Sequence, residues 1–520
     1  MPTFYVRSSG NDGNPGTGSA AGQAWKTLTP VNARTWLPGD ICNFNGGETF
    51  TGGIFIQNVA STQASPVTFQ SFGTGRAIIN TTSTTSVGFY LYKMGGMVIQ
   101  NLNFTGPGVT STKEGIMFYN DAAGNVVYPY VRITNCNITG YMSGIVIGGG
   151  AGTAGYSDVR IDGCECFANR KNGIQMYGAA NYALANVYIG NTKTYNNTGL
   201  ASQSSPTGSG IELSRIDGGT VELCLSFGNG ANNTNAAGPV GIWCFSSNNV
   251  IIQKCESYNN LSAGGDGDGF DLDGGCTNCI IQYCYSHGNK GAGFALFQYA
   301  GATTFSGNII RYCISESDKL AGIALWGAST TDKITNSSVY NNTVYASLNP
   351  ALDVYNSNLS GITVSNNIFL TTGGMTLVDH QGTTGLTFTK NNYFNLSGAF
   401  VIWWGGTQYS SRAAWGQDAG GFQVNPMLVN PGAGGTIGVI GSLPTLTAYK
   451  ISDISSPMVN VGTTITSPGS TDFWGEALYS GAPDVGADEC YLVAAVGQPT
   501  MRRWGGVPQL PGGQLVGRTW

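Results

Sequence analysis

The fold is decided by Gly241-Ile242-Trp243-Cys244 and, a few residues on, Val250-Ile251-Ile252-Gln253-Lys254-Cys255-Glu256-Ser257-Tyr258-Asn259-Asn260. The next stretch keeps the same order: Gly269-Phe270-Asp271-Leu272, then Cys279 to Cys284, then Tyr285-Ser286-His287-Gly288-Asn289. Each unit opens with Gly, an apolar residue, any residue and a second apolar residue. That period-two pattern marks a short strand with one buried face. A second strand ends on a Cys, with a ring three residues later and an Asn five residues later.

Working outward, the same opening recurs at Gly115, Gly144, Gly173, Gly210, Gly293 and Gly322, and Ala351-Leu352-Asp353-Val354 is a copy without its Gly. The spacing runs from 24 residues, Gly269 to Gly293, to 37, Gly173 to Gly210, which is the range of solenoid repeats. Three columns emerge. The first holds Cys136, Cys164, Thr192, Cys224, Cys255, Cys284 and Cys313, continued by Asn342, Asn367 and Asn392. The second holds Phe167, Tyr195, Phe227, Tyr258 and His287, and the third Asn169, Asn197, Asn229, Asn260 and Asn289, then Asp318. Coils of a parallel β-solenoid stack about 4.8 Å apart, so each column becomes a ladder. Stacked amides then bond one another, and rings and thiols fill one slot per turn.

Composition narrows the function classes. The chain has 520 residues, 79 of them Gly, 10% charged residues and a net charge of −5. Isolated basic pairs such as Arg502-Arg503 make no basic footprint, so nucleic acid is not an expected partner. No apolar stretch is long enough to span a bilayer, so membrane insertion is not expected either. Met1 to Val6 carries neither the basic nor the apolar region of a secretory signal. The expectation is export by another route, or a signal already removed.

Six of the twelve cysteines belong to the first column and are expected to be buried, reduced and inert. Cys276-Thr277-Asn278-Cys279 has metal-ligand spacing, but without a second pair, and with two His in the chain, no zinc site is expected. His287, in the ring column, is expected in the core. His380, in Val378-Asp379-His380-Gln381, has no spacing that makes it a triad member.

The ends differ from the middle. Residues 1–100 hold a strand at Tyr5-Val6-Arg7-Ser8, a turn-rich loop, a short helix between Trp25 and Trp36, and the first coils. A solenoid has open edges that need covering, and this segment is the expected N-terminal cap. The repeat is expected over 101–490. The Pro/Gly-rich tail, 491–520, is read as a flexible end or as an anchoring or assembly segment.

The run Tyr5-Val6-Arg7-Ser8-Ser9-Gly10-Asn11-Asp12, with Gly16-Thr17, Trp25-Lys26-Thr27-Leu28 and Pro38-Gly39-Asp40, resembles the opening of pectate-lyase-like proteins. Asp484-Val485-Gly486-Ala487-Asp488-Glu489 resembles the segment that closes them. The resemblance covers about residues 1 to 490 and implies an all-β, right-handed parallel β-helix. That superfamily includes polysaccharide lyases, glycoside hydrolases and phage tailspike depolymerases. It implies Ca²⁺ with a Lys or Arg base for a lyase, or paired carboxylates for a hydrolase. No family catalytic motif is complete here, and Asp379-His380 lacks the Pro of the epimerase pattern.

Register also defines an outward face. The second and fourth residues after each Gly point away from the core. They include Tyr177, Glu212, Trp243, Phe245, Asp271, Asp273, Phe297, Trp326, Asp353 and Tyr355. Rings spaced along a sheet suit sugar faces, so Tyr177, Trp243, Phe245, Phe297, Trp326, Tyr355 and Asp353 are expected to bind substrate on one exposed surface. Glu212 and Asp271 are expected to be the working carboxyls, with Asp273 holding the partner carboxyl or the water. Asp271 and Asp273, two apart on one strand, have Cα atoms about 6.5 to 7 Å apart, and Glu212 lies two coils, about 9 to 10 Å, from Asp271. Those separations fit the range of about 6.5 to 9.5 Å for inverting glycosidases. Asp266, Asp268, Asp271 and Asp273 also read as a Ca²⁺ site, structural or serving a lyase with Lys290 or Lys319 as base. A third reading is an acidic turn without chemistry.

The expected function is binding and cleavage of an extracellular polysaccharide, by a protein of the extracellular space or of a virion tail, trimeric by analogy with tailspikes. The alternative is a fibre or adhesin that binds glycan without cutting it.

Overall fold

The computed structural model describes residues 2–479 and 481–491. Beyond Tyr491, the tail expected to anchor or assemble lies outside the described residues. Each coil contributes one strand to each of three sheets of 14, 14 and 13 strands. Sheet A runs from Thr3–Val6 to Leu386–Thr389. Sheet B runs from Thr49–Thr51 to Asn392–Asn395. Sheet C runs from Ile54–Gln57 to Ile402–Trp404, where Thr407–Tyr409 adds an antiparallel edge strand. One coil reads Ile145–Gly149 in C, Gly155–Asp162 in A and Glu165–Phe167 in B. Successive coils pair in parallel, as in Ile145 with Ile174, Val159 with Val187 and Cys166 with Thr194. The inward Ile, Val, Leu and Phe of all three sheets form one buried core.

The corner between sheets A and B explains the Cys column. The residue before it is left-handed in coil after coil: Asn135, Gly163, Asn191, Leu223, Lys254, Tyr283, Tyr312 and Asn341 have φ of 49° to 62°. Asn and Gly accept that conformation readily, whereas Leu223 and Tyr283 adopt it at a cost of about 1–2 kcal/mol. The next side chain donates to the carbonyl two residues back: Cys136 to Thr134 at 3.3 Å, Cys255 to Gln253 at 3.1 Å, Thr192 to Gly190 at 2.7 Å, Asn342 to Tyr340 at 3.0 Å. Cys, Thr and Asn thus share the column because each is a compact donor. All six ladder thiols are buried and unbridged. The last occupant is Asn391, not the expected Asn392. Ser365 pairs with Thr389, which sets Asn367 beside Asn391, while Asn392 pairs with Ile368.

The Asn column is a hydrogen-bonded chain. Each amide Nδ2 donates to the next coil's Oδ1: Asn169 to Asn197 at 3.0 Å, Asn197 to Asn229 at 2.9 Å, Asn229 to Asn260 at 3.0 Å, Asn260 to Asn289 at 2.9 Å. Asn289 ends on Asp318 at 2.8 Å. A second chain passes from Asn342 through Asn367 and Asn391 to Asp418. Both terminate on an acceptor with no amide to offer, which a carboxylate supplies. The Gly that opens each sheet C strand makes room for this chain: a Cβ on Gly241 would lie 2.0 Å from Ser257 Oγ and 2.6 Å from Asn260 Nδ2.

Two expectations need correction. The rings from Phe167 to His287 do stack, 4.8 to 4.9 Å apart and within 5° of parallel, but on the outer face of sheet B, because Cys166 takes the inward position. His287 is buried because later chain covers it: it meets Glu256 at 3.0 Å, whose carboxylate also accepts the Ile437 and Gly438 N–H groups. The coils end near Trp404 rather than at 490. Residues 410–490 are largely irregular and return along the outside of sheet B, where Gly434 bonds Glu316 and Ala487 bonds Thr343. At the other end, Asn32 in the helix Leu28–Ala33 bonds Gly53 and Phe55 on the free edge of the first sheet C strand.

Candidate functional site

The returning segment bonds sheet B and, through Ser467, Arg311 of sheet A, whereas sheet C carries a cleft on its outer face. Its outward column reads Glu212, Trp243, Asp271, Ala295, Ala324, Asp353 and Asp379 in paired register. The neighbouring column reads Phe297, Trp326 and Tyr355, with Phe245 and Asp273 before them. Parity is therefore as expected, but exposure is not. Glu212, Trp243, Asp271 and Asp353 are buried, at 7%, 4%, 2% and 9% exposure. Loops inserted before the sheet C strands, together with the cleft rings, rise over this face. They turn it into a cleft of about 710 Å³, inside the usual range for ligand sites.

The floor and sides of the cleft are Trp243, Phe245, Phe297, Trp326 and Tyr355, with Tyr299 at one rim. Phe297 meets Trp326 and Tyr355 edge-on, with centroids 6.2 and 6.4 Å apart. Trp243 is oriented by its Nε1–H, which donates to Ser209 Oγ at 3.0 Å. Two carboxyls line the cleft, Asp266 and Asp273. Small residues at 295 and 324 leave the rings room above the sheet, and Ala324 packs against Phe297 and Tyr355.

Behind those two stand Asp268 and Asp271. Asp268 accepts the Ala292 N–H with one oxygen, and its other oxygen has no partner. Asp271 Oδ1 is likewise buried without a partner. Burial lifts Asp273 to about 7, with the charge of Asp266 adding to the rise against a hydrogen bond from the Gly274 N–H. Burial also lifts Asp266 to about 7, opposed by its contact with Asp268. Burial, then the neighbouring carboxylates, pushes Asp268 and Asp271 well above the usual carboxylate range. A carboxyl that keeps its proton avoids burying an unpaired charge.

Asp271, expected as one of the working carboxyls, stands behind the lining rather than in it, and three further expected site residues fall elsewhere. Glu212 is not in the cleft: Trp243 separates it from Asp271, and its oxygens are taken by Asn172 at 2.7 Å and Gln175 at 3.0 Å. Tyr177 covers Gly148, away from the cleft lining. Asp353 lies beneath Tyr355's column, beside Asp379, and is lifted to about 7 by burial and by that neighbour's charge. The expected Ca²⁺ site does not fit. Ligands at about 2.3–2.6 Å from Ca²⁺ lie at most about 5 Å apart, and among the described residues no three of these carboxylates bring oxygens within 4.8 Å of one another. Lys290 and Lys319 are exposed, and among the described residues no Lys or Arg lines the cleft.

Sequence reading missed Asp266 as a cleft wall, along with Tyr299, Leu320 and the loop residues Pro206 and Ala236. The available signal was coil length. The 37 residues from Gly173 to Gly210 and the 31 from Gly210 to Gly241 exceed what the strands use, and the surplus builds the wall.

Residues 130–344 match the family described as right handed beta helix region. The fold is a right-handed parallel β-helix. A GH136 lacto-N-biosidase from Eubacterium ramulus shares it, at 17% identity and a TM-score of 0.50, over 69% of this chain and 65% of that one. This chain thus spans less than two thirds of that enzyme's length. The pectate lyase Pel9A is similar at 16% identity and a TM-score of 0.44, over 94% and 96% of the two chains. The Dettilon tailspike protein is similar at 13% identity and a TM-score of 0.41, over 75% and 63%. No curated protein matches the chain in sequence.

Proposed function

We propose that this protein binds a polysaccharide in the sheet C cleft and hydrolyses it with Asp266 and Asp273. One observation carries the reading: a ring-lined cleft of about 710 Å³ has, among its lining residues, two carboxyls lifted to about 7. Glycoside hydrolysis needs one carboxylic acid to protonate the leaving oxygen and one carboxylate to act on the other face of the sugar. Two acids poised near neutral pH can divide those roles, the first proton lost making the second harder to lose. The rings supply flat apolar faces for sugar rings on both sides of the acids.

Hydrolysis is favoured over elimination because, among the described residues, the cleft lining offers carboxyls but no Lys or Arg base. The lacto-N-biosidase is named for a glycosidase activity, which is compatible with the reading. The test is incubation with capsular, plant and host-type glycans, reading new reducing ends together with ultraviolet absorbance. Reducing ends without an unsaturated product support hydrolysis. Unsaturated ends would make the protein a lyase, and binding without any product would make it a glycan-binding fibre or adhesin.

A further inference from the structure

On the core side of the strand that carries Asp271 lies a group of side chains that the cleft does not use. Cys276 and Cys279, whose spacing alone gave no complete metal site, are joined by Cys244 from the preceding coil. The three Sγ atoms lie within 4.8 Å of one another, and Cys244 and Cys276 are 3.6 Å apart. All three are buried, at 0% exposure. We propose that this trio is a binding site for one thiophilic metal ion, of the class of monovalent copper.

The ladder thiols give the contrast. Cys224, Cys255 and Cys284 each donate to a carbonyl two residues back, as Cys279 does to Thr277 O at 3.4 Å, but among the described residues they belong to no such trio. At the trio the Cys244 and Cys276 sulfurs also meet each other, 3.6 Å apart. An ion bonding sulfur at about 2.3 Å in a trigonal set holds its sulfurs about 4.0 Å apart, which lies between the 3.6 Å contact and the 4.8 Å limit of this trio. Thiolate sulfur selects soft ions such as Cu(I). Zinc ordinarily takes a fourth ligand, yet no fourth Cys, His, Asp or Glu joins the group among the described residues.

Charge points the same way. One thiolate and one Cu(I) sum to zero charge, which is the least costly combination to bury. Binding then releases one thiol proton of the trio to solvent, and the other two sulfurs donate lone pairs. The ion would also brace the cleft, because the Asp273 N–H donates to Cys244 O and Asp273 O accepts from the Cys276 N–H.

The test uses the full chain, unfolded and refolded anaerobically with Cu(I), then washed in the native state with a Cu(I) chelator. The expected result is one copper retained per chain, sulfur-to-metal charge-transfer absorption, and a higher melting temperature than the metal-free chain. Cys244→Ser, Cys276→Ser and Cys279→Ser should each retain about tenfold less copper or worse, and Cys284→Ser, in the ladder, should retain it. The wild-type melting shift stands by itself if a variant fails to fold. The proposal falls if the wild type keeps no copper, if Cys284→Ser loses as much as the trio variants, if zinc is retained in place of copper, or if protein isolated without reductant holds a Cys244–Cys276 disulfide.

Discussion

The amide ladder and the acidic cleft occupy the same coils and both bury polar side chains, but on opposite terms. Asn260 spends its whole amide: Oδ1 accepts from Asn229, and Nδ2 meets Asn289, Ser257 and the Ser226 carbonyl. Eight and eleven residues along, Asp268 and Asp271 each keep a buried oxygen that accepts no hydrogen bond. The first arrangement stabilises the fold, since a satisfied buried group costs little and an orphaned one costs about 1–3 kcal/mol. The second stores that cost as raised proton affinity, which is the property an acid catalyst needs. Repetition is what separates the two regions. An Asn in every coil always finds a partner above and below, whereas carboxyls confined to one strand and its approach find only one another.

The sharpest way to break this comparison is Asp273→Asn, which keeps shape and removes the charge. Turnover on a cleavable glycan should fall at least about a hundredfold, with stability unchanged or improved because a strained group is gone. A large loss of stability with activity retained would place Asp273 on the structural side. Asn260→Ala should behave oppositely, lowering the unfolding free energy by about 1 to 3 kcal/mol in denaturant titration. An unchanged midpoint would mean the amide chain contributes nothing to the fold.

Trp326→Ala sharpens the cleft side of the comparison. Calorimetry should show glycan binding weakened by about 1 to 3 kcal/mol with the melting temperature nearly unchanged. The smallest expected effect is in pH. Unfolded Asp releases its proton near pH 4, while Asp266 and Asp273 hold theirs to about 7 when folded. The folded state therefore binds more protons between those values, so this stability is full below about pH 4 and is lost as pH rises through 7. Asp273→Asn should flatten that fall by roughly 1 kcal/mol, allowing for the group's partial exposure. An equal slope in both proteins would show that Asp273 titrates normally.

Much of this was legible in the chain. The Cys, ring and Asn columns gave coil register, and register gave the parity that sends Asp271, Asp273, Phe297 and Trp326 to one face. The one-residue slip at Asn391 arose because two adjacent Asn satisfy the same pattern. Glu212 shares the outward parity but does not line the cleft, for a different reason. Parity says which way a side chain leaves the sheet, and nothing about what stands over it.

Sequence by itself determined the solenoid, the two hydrogen-bond chains in outline and the sheet that carries the acids, because these follow from local alternation repeated at a near-constant period. Tertiary structure alone decided three things: that loops and rings bury Glu212, Trp243 and Asp271, that residues 410–490 return along sheet B and cover His287, and that Cys244 meets Cys276 and Cys279. Each joins residues from different coils or distant segments. Their proximity depends on how coils stack and where loops lie, which no local spacing encodes.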